Sequence, residues 1–292
     1  MKNNNVSLVT GGSGKTGLKI IRELIANNVK IRAIVRSDEA KNKISTVGNV
    51  EIVYGDLLDD PSLKKAINGC RLVIHICPPM HPKETEIARR VTDHCIANNV
   101  ERLILYSVLH PLTSQVPHHH KKLEAERYLV NSGQNYTILQ PARYMQHITP
   151  IWNKVAETGL LQIPFSIHSR FSIVDLDDVA LAAATIVVEN KHDFATYQLA
   201  GPESLNHIEM AQTLSEISGK KIRAEKKSVA NYQREINKRN FSKLRIETML
   251  KMNKHYDRHG LIGNANILEW LLHRSPTTFR DFALRDLIKS RE

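Results

Sequence analysis

The chain has 292 residues, 41% of them apolar and 24% charged, with a formal net charge of +11. That is enough for one large α/β domain, or a domain with a small lobe, around a sizeable core. No apolar run approaches the ~20 residues of a membrane-crossing helix. Met1 to Asn5 lacks the apolar region of a secretory leader, so a cytoplasmic protein is expected. Cys70, Cys77 and Cys95 form neither a CxxC pair nor a metal-type spacing, which fits buried thiols in a reducing compartment. The positive charge permits attraction to anions, from a phosphorylated cofactor to nucleic acid. It is spread along the chain with a local excess over 219–258 and no zinc-finger, RNP-type or basic-zipper pattern, so it reads as a solvated basic face.

Val6 to Val9 reads as a buried strand, and Leu18 to Ile25 carries apolar residues at helical spacing. Between them lies Gly11-Gly12-Ser13-Gly14-Lys15-Thr16-Gly17. Strand, glycine turn and helix form the first half of a dinucleotide-binding βαβ unit. The turn's glycines allow a sharp bend, close approach to a pyrophosphate and tight packing of helix on strand. The helix N-terminus adds free N–H groups and a partial positive charge. Gly14-Lys15-Thr16 also looks like the end of a phosphate-binding P-loop, but that motif needs a glycine where Val9 stands.

Val29 to Val35 reads as the second strand and ends in Arg36-Ser37. An acidic residue there favours NAD, and a basic one favours the 2′-phosphate of NADP. Arg36 can fork onto phosphate and Ser37 can donate to it, which favours NADP(H), although Asp38 follows and a surface arginine would look the same. Val50 to Tyr54 is a third strand. Asp56, with Leu57 beside it, stands where a strand end could meet the adenine amino group, although Gly55-Asp56 alone is only a turn. A helix over Pro61 to Ile67 follows. Arg71 to Cys77 is the fourth strand, closed by Pro78-Pro79. A helix over Ile87 to Ala97 and a fifth strand over Arg102 to Val108 complete the rhythm of a doubly wound parallel sheet of Rossmann type. In such a sheet Gly11, Arg36, Asp56, Cys77 to Pro79 and Ser107 come to one edge.

A helix carrying Lys122 and Glu126 then leads to Ser132-Gly133, and Tyr136 to Leu139 is the sixth strand. Phe171 to Asp175 reads as a short strand, with Asp177 as cap of a helix over Val179 to Val188. Tyr197 to Ala200 reads as the last core strand, and Asn206 or His207 caps a helix stopped by Gly219. The chain thus divides into a core over 1–150, a substrate-lobe segment over 151–170, a return to the sheet over 171–202 and a mostly helical lobe over 203–292, without a low-complexity linker.

Thr10 to Gly17, Gly55-Asp56-Leu57, Lys122-x-x-x-Glu126, Tyr136 to Met145, Asp175 to Asp178 and Leu199 to Glu203 together resemble the atypical short-chain dehydrogenases/reductases of the NmrA-like branch. The likeness is strongest to the triphenylmethane-reductase-like and quinone-reductase-like members, and it covers nearly the whole chain. The wider superfamily moves protons with a Ser, a Tyr and a Lys four residues after the Tyr, the Lys also holding the cofactor ribose. Lys122 matches the lysine and Ser107 the serine, but His118 stands at the tyrosine position. A histidine there could act as acid or base, or mark a protein that has lost catalysis. The resemblance also places Pro141, Ala142 and Tyr144 over the nicotinamide and acceptor, although Tyr144 and Met145 could equally be packing residues.

His118, His119 and His120 diverge by about 100° each on a helix and cannot all face one ion, so no metal site is expected. The implied activity is hydride transfer from NADP(H) to a small quinone-like or aromatic acceptor. The alternative is a non-enzymatic redox sensor whose NADP occupancy tunes binding to a regulatory protein partner.

Overall fold

The computed structural model describes residues 5–289. In chain order the elements are β1 (Val6–Val9), α1 (Lys15–Ala26), β2 (Lys30–Val35), α2 (Asp38–Ser45), β3 (Glu51–Tyr54), α3 (Asp60–Ile67), β4 (Cys70–His75), α4 (Glu84–Ala97), β5 (Arg102–Tyr106), α5 (Pro117–Asn131) and β6 (Tyr136–Pro141). They continue with α6 (Trp152–Thr158), β7 (Leu160–Ile163), β8 (Phe171–Ser172), α7 (Leu176–Val188), β9 (Ala195–Leu199), β10 (Ser204–Leu205), α8 (His207–Ser218), β11 (Arg223–Lys226), α9 (Val229–Asn237), α10 (Lys243–His259), α11 (Asn266–Leu272) and α12 (Phe279–Ala283). No helix among the described residues is long and apolar enough to cross a membrane.

Seven strands form one sheet in the order β3-β2-β1-β4-β5-β6-β9, and the neighbours from β3 through β6 pair in parallel. Buried apolar runs such as Leu72 to Ile74 and Leu103 to Leu105 suit strands covered on both faces. The strand order changes direction between β1 and β4. The crevice beyond the carboxyl ends of those two strands is where open α/β sheets hold ligands. The fold is the Rossmann-type α/β architecture expected from the alternation.

The described residues fall into two compact units. The first comprises residues 5–112, 119–140 and 179–197, and the second residues 113–118, 141–178 and 198–289. In the first, Leu8, Val73, Leu103 and Ile138 of the sheet pack with Leu63, Ile67, Ile87 and Val91 of α3 and α4. Ile20, Ile21 and Leu24 of α1 are fully buried, each worth about 1.5–3 kcal/mol of apolar transfer. In the second unit, the rings of Phe165, Phe171, His207 and Tyr256 cluster at centroid distances of 5.0–6.3 Å. Asp178 there accepts from the Thr277 N–H and the Arg274 guanidinium, both at 2.6 Å.

Three local features depart from the sequence expectation. α2 has one buried apolar residue, Ile44, and so little periodicity; its start is fixed by Ser37, whose Oγ accepts from the Ala40 N–H. α4 begins at Glu84, ahead of the first periodic residue Ile87. The cap of α7 is Asp175 rather than Asp177. The helix starts at Leu176, and Asp175 Oδ1 accepts from the Asp177 N–H at 3.0 Å, so the earlier acid satisfies the free donor. Asn206 does cap α8, in a reciprocal box with Glu209.

Candidate functional site

The turn between β1 and α1 is built by backbone crowding. Thr10 ties it to β4: its N–H donates to the Ile74 carbonyl, and its Oγ1 accepts from the Ile76 N–H, both at 3.0 Å. Gly11 follows with φ +64°, and a Cβ on it would stand 2.4 Å from the Ile76 carbonyl oxygen. A Cβ on Gly17 would stand 2.4 Å from the Gly11 carbonyl oxygen and 2.6 Å from the Gly12 Cα. These two positions exclude any side chain. Gly14 is different: it is exposed, and a Cβ there would meet only the Gly11 oxygen at 3.3 Å. It is the N-cap of α1, it provides no side-chain cap, and the first turn holds no acid. By contrast Ser37 and Asp59 cap α2 and α3. Ser13 and Thr16 are half-buried beside this end, and Lys15 is exposed. An uncapped N-terminus offers free N–H groups and a partial positive charge that attract anions.

At the end of β2, Arg36 is exposed, with its Nη1 4.0 Å from Asp56 Oδ2. Such an open pair contributes little to stability and leaves the guanidinium available. Asp56 Oδ1 accepts from the Leu58 N–H at 2.9 Å, which shapes the turn after β3, where Leu57 is half-buried. Ser37 spends its acceptor on α2 and retains its O–H as a donor. Tyr54 donates to Asp38. Beyond β4, Cys77 is buried and its thiol is pushed up to about 12 by desolvation, whereas Pro78 and Pro79 are exposed.

A buried charged cluster in the first unit surrounds Lys122. Its Nζ lies 2.8 Å from Glu84 Oε1, with both side chains buried, and donates to the Tyr106 carbonyl at 2.8 Å. An ammonium has three donors; the Tyr106 carbonyl takes one, and Glu84 balances its charge. His75 shares this environment: its Nδ1 meets Thr10 Oγ1 at 2.8 Å, and burial with the nearby Lys122 charge pushes it down to about 3. It is therefore a neutral imidazole, and its Nε2 has no partner among the described residues. Ser107 is buried just after β5. One helical turn beyond Lys122, Glu126 accepts from the Gln140 amide at 3.0 Å, and its carboxyl is raised by burial, with Ser107 and Gln140 pulling the other way.

The first unit thus brings together the glycine turn, Arg36, Ser37, Asp56, Leu57, Cys77 to Pro79, Ser107 and Lys122. His118, Pro141, Ala142 and Tyr144 belong to the second unit. His118 is half-buried, His119 is fully buried with its Nδ1 2.9 Å from the His110 carbonyl, and His120 is exposed. Pro141 and Ala142 are buried, and Tyr144 stacks on His147 at 5.7 Å. Sequence reasoning missed Glu84 and His75. A glutamate in a helix's first turn reads as an exposed dipole partner, and a strand histidine as core. The signal that could have found both is the need of a buried Lys122 for a counter-charge.

The NmrA-like family model matches residues 3–283, and the chain belongs to that family. It is 25% identical over 221 residues to Prestalk A differentiation protein A of Dictyostelium discoideum, covering 75% of this chain and 71% of that protein. It is 25% identical over 226 residues to Quinone oxidoreductase 2 of Escherichia coli K12, covering 77% and 78%. The Citrobacter sp. triphenylmethane reductase, solved with NADP(H), superposes with a TM-score of 0.84 at 24% identity, covering 96% of this chain and all of that one. This last likeness shows the fold.

Proposed function

We propose that this NmrA-like chain is an NAD(P)H-dependent oxidoreductase that passes hydride to a small quinone-like or aromatic acceptor, with NADP(H) preferred. The observation that carries the reading is the uncapped α1 N-terminus behind a turn whose Gly11 and Gly17 admit no side chain. Those residues fit a pyrophosphate: backbone donors and the helix dipole stand at an end with no side-chain cap and no acid in its first turn. A bound reduced nicotinamide supplies the hydride.

The chain's own residues do the rest. Gly11 to Gly17 hold the diphosphate, with Lys15 adding charge. Arg36 and the Ser37 hydroxyl take the 2′-phosphate, and Asp56 takes the adenine amino group. A donor of Lys122 holds the nicotinamide ribose, while Glu84 and the Tyr106 carbonyl fix its ammonium. Any proton comes from His118 or solvent. An extended conjugated acceptor can take hydride without a dedicated tyrosine acid, so His118 at that position is compatible with turnover. Pro141, Ala142 and Tyr144 are assigned to the nicotinamide and acceptor by the family pattern of their loop. Support for the acceptor class comes from a relative that is named a quinone oxidoreductase.

The test is turnover by the purified chain, following loss of NADPH absorbance with a panel of quinones and cationic dyes. Acceptor-dependent oxidation is expected. Saturable NADPH binding with no oxidation by any acceptor would favour the rival reading, a redox sensor acting on a regulatory protein.

A further inference from the structure

The positive charge reads from sequence as a solvated face, but the fold concentrates it. Residues 220–259 carry thirteen Lys and Arg against four Asp and Glu, which is nine of the chain's eleven net positive charges. The whole segment lies within the second unit. Two of its four acids are engaged internally: Asp257 pairs with Lys226 at 2.7 Å and Glu235 with Lys227 at 2.6 Å. In α10 the inward residues Thr248, Asn253 and Tyr256 are buried, and Tyr256 packs edge-on against Phe165 and Phe171. The outward face holds Lys243, Glu247, Lys251, Lys254 and Arg258, all exposed, at steps of four, four, three and four residues. Those steps keep side chains in one row along a helix. Among the described residues none of the four cations has an ion-pair partner, and Glu247 pairs with none of them.

Like charges at this spacing destabilise a helix, so folding does not explain the row; Arg258 alone is favoured by the dipole at the helix C-terminus. From Lys243 to Arg258 the row runs about 22 Å at the helical rise. A straight row of unpaired cations complements a straight row of anions. A B-form duplex carries one phosphate per ~3.4 Å of each strand, so the row lies along about six of them. A membrane surface fits less well, because a helix adsorbs there through its apolar face, and α10 buries that face in its own unit. A single strand also fits less well, because it is held by stacking bases on aromatic rings, and the outward face of α10 has no Phe, Tyr or Trp. We propose that α10 docks on the phosphate backbone of double-stranded nucleic acid through Lys243, Lys251, Lys254 and Arg258, without reading bases. The docking surface involves none of the residues assigned to the cofactor and is independent of the redox reading.

The experiment is fluorescence anisotropy of a labelled DNA duplex of about 30 base pairs and mixed sequence, titrated with the full chain from about 50 to 200 mM salt. Four phosphate contacts give an expected slope of about −3.6 in log affinity against log salt, a loss of roughly 150-fold across that range. Changing Lys243, Lys251, Lys254 and Arg258 together to Gln is expected to weaken binding at least about tenfold at the lower salt and to flatten the slope. A control that removes the same charge from exposed residues of the first unit, Arg22, Lys41, Lys64 and Lys65 all to Gln, is expected to stay within about twofold of the wild type. Glu247→Lys, which completes the row, is expected to tighten binding and steepen the slope to about −4.5; it decides the matter if the fourfold variant does not fold. Unlabelled duplex is expected to compete better than single strands, phosphatidylserine vesicles or polyglutamate at equal charge. No duplex binding at the lower salt, equal losses in the two fourfold variants, no gain in Glu247→Lys, or equal competition by any of the other polyanions would overturn the proposal.

Discussion

Lys122 is buried inside the first unit with Glu84 2.8 Å away. Removing one member of such a pair strands the other, at a cost of about 3–5 kcal/mol, whereas neutralising both costs much less. Lys122→Met is therefore expected to lose about that much in urea denaturation, and Lys122→Met with Glu84→Gln to recover most of it. Both variants should bind NADPH more weakly than the wild type, since both lack the donor proposed for the ribose. A single variant of wild-type stability would show that the pair carries no such penalty. Arg36 poses the opposite case: it is exposed and only loosely engaged by Asp56. Arg36→Glu should leave stability within about 0.5 kcal/mol, as for other surface changes. It should weaken NADPH binding far more than NADH binding, and equal losses in parallel titrations would refute 2′-phosphate recognition. Lys122 was legible because its place in a spaced motif is a sequence property. Glu84 was not, because its burial is created by a lysine 38 positions away.

The elements that announce themselves are those held by periodicity. β1, α1 and the central strands follow directly from apolar spacing and glycine punctuation. α2 escaped notice because its stability comes from a Ser37 cap and a tyrosine bond to Asp38 rather than from an apolar stripe. β11 escaped because Arg223 to Lys226 is charged and mostly exposed, and becomes a strand only by pairing with β7. At the candidate site, residue types and spacing placed the glycine turn, but the identity of the glycine that a ligand needs open required coordinates. Gly17→Ala tests the packing of α1 on the turn. Alanine improves helix propensity by up to about 1 kcal/mol. Its Cβ, however, would lie 2.4 Å from the Gly11 oxygen and 2.6 Å from the Gly12 Cα, which are backbone atoms and cannot rotate away. The clash is expected to win, with a net loss of about 1–3 kcal/mol, read as a lower urea midpoint at unchanged slope. A stabilised variant would contradict the tight packing.

At the scale of the whole molecule, each unit hides a neutral histidine. His75 and His207 are both depressed to about 3 from an ordinary value near 6.5. The unfolded chain gains those protons near pH 6.5 and the folded chain only near pH 3, so their contribution is complete above pH 6.5 and is lost as pH falls towards 3. Glu126 and Asp175 are raised by burial, so their contribution is complete below the ordinary carboxylate value and is lost as pH rises through the raised one. Acid unfolding between pH 6.5 and 3 should therefore be shallower in a His75→Gln, His207→Gln double variant than in the wild type. Stability curves that remain parallel across that range would contradict the burial of both rings.

The central claim is that the open N-terminus of α1 holds a dinucleotide, and titration of NADPH fluorescence against the wild type and Gly14→Asp tests it most directly. Aspartate caps a helix at least as well as glycine, and its Cβ would meet only the Gly11 oxygen at 3.3 Å, so stability should hold within about 1 kcal/mol. The same carboxylate would lie at the proposed pyrophosphate site. The wild type is expected to bind one NADPH per chain saturably and the folded Gly14→Asp variant to lose that binding. Equal NADPH affinity in the two proteins would contradict the account.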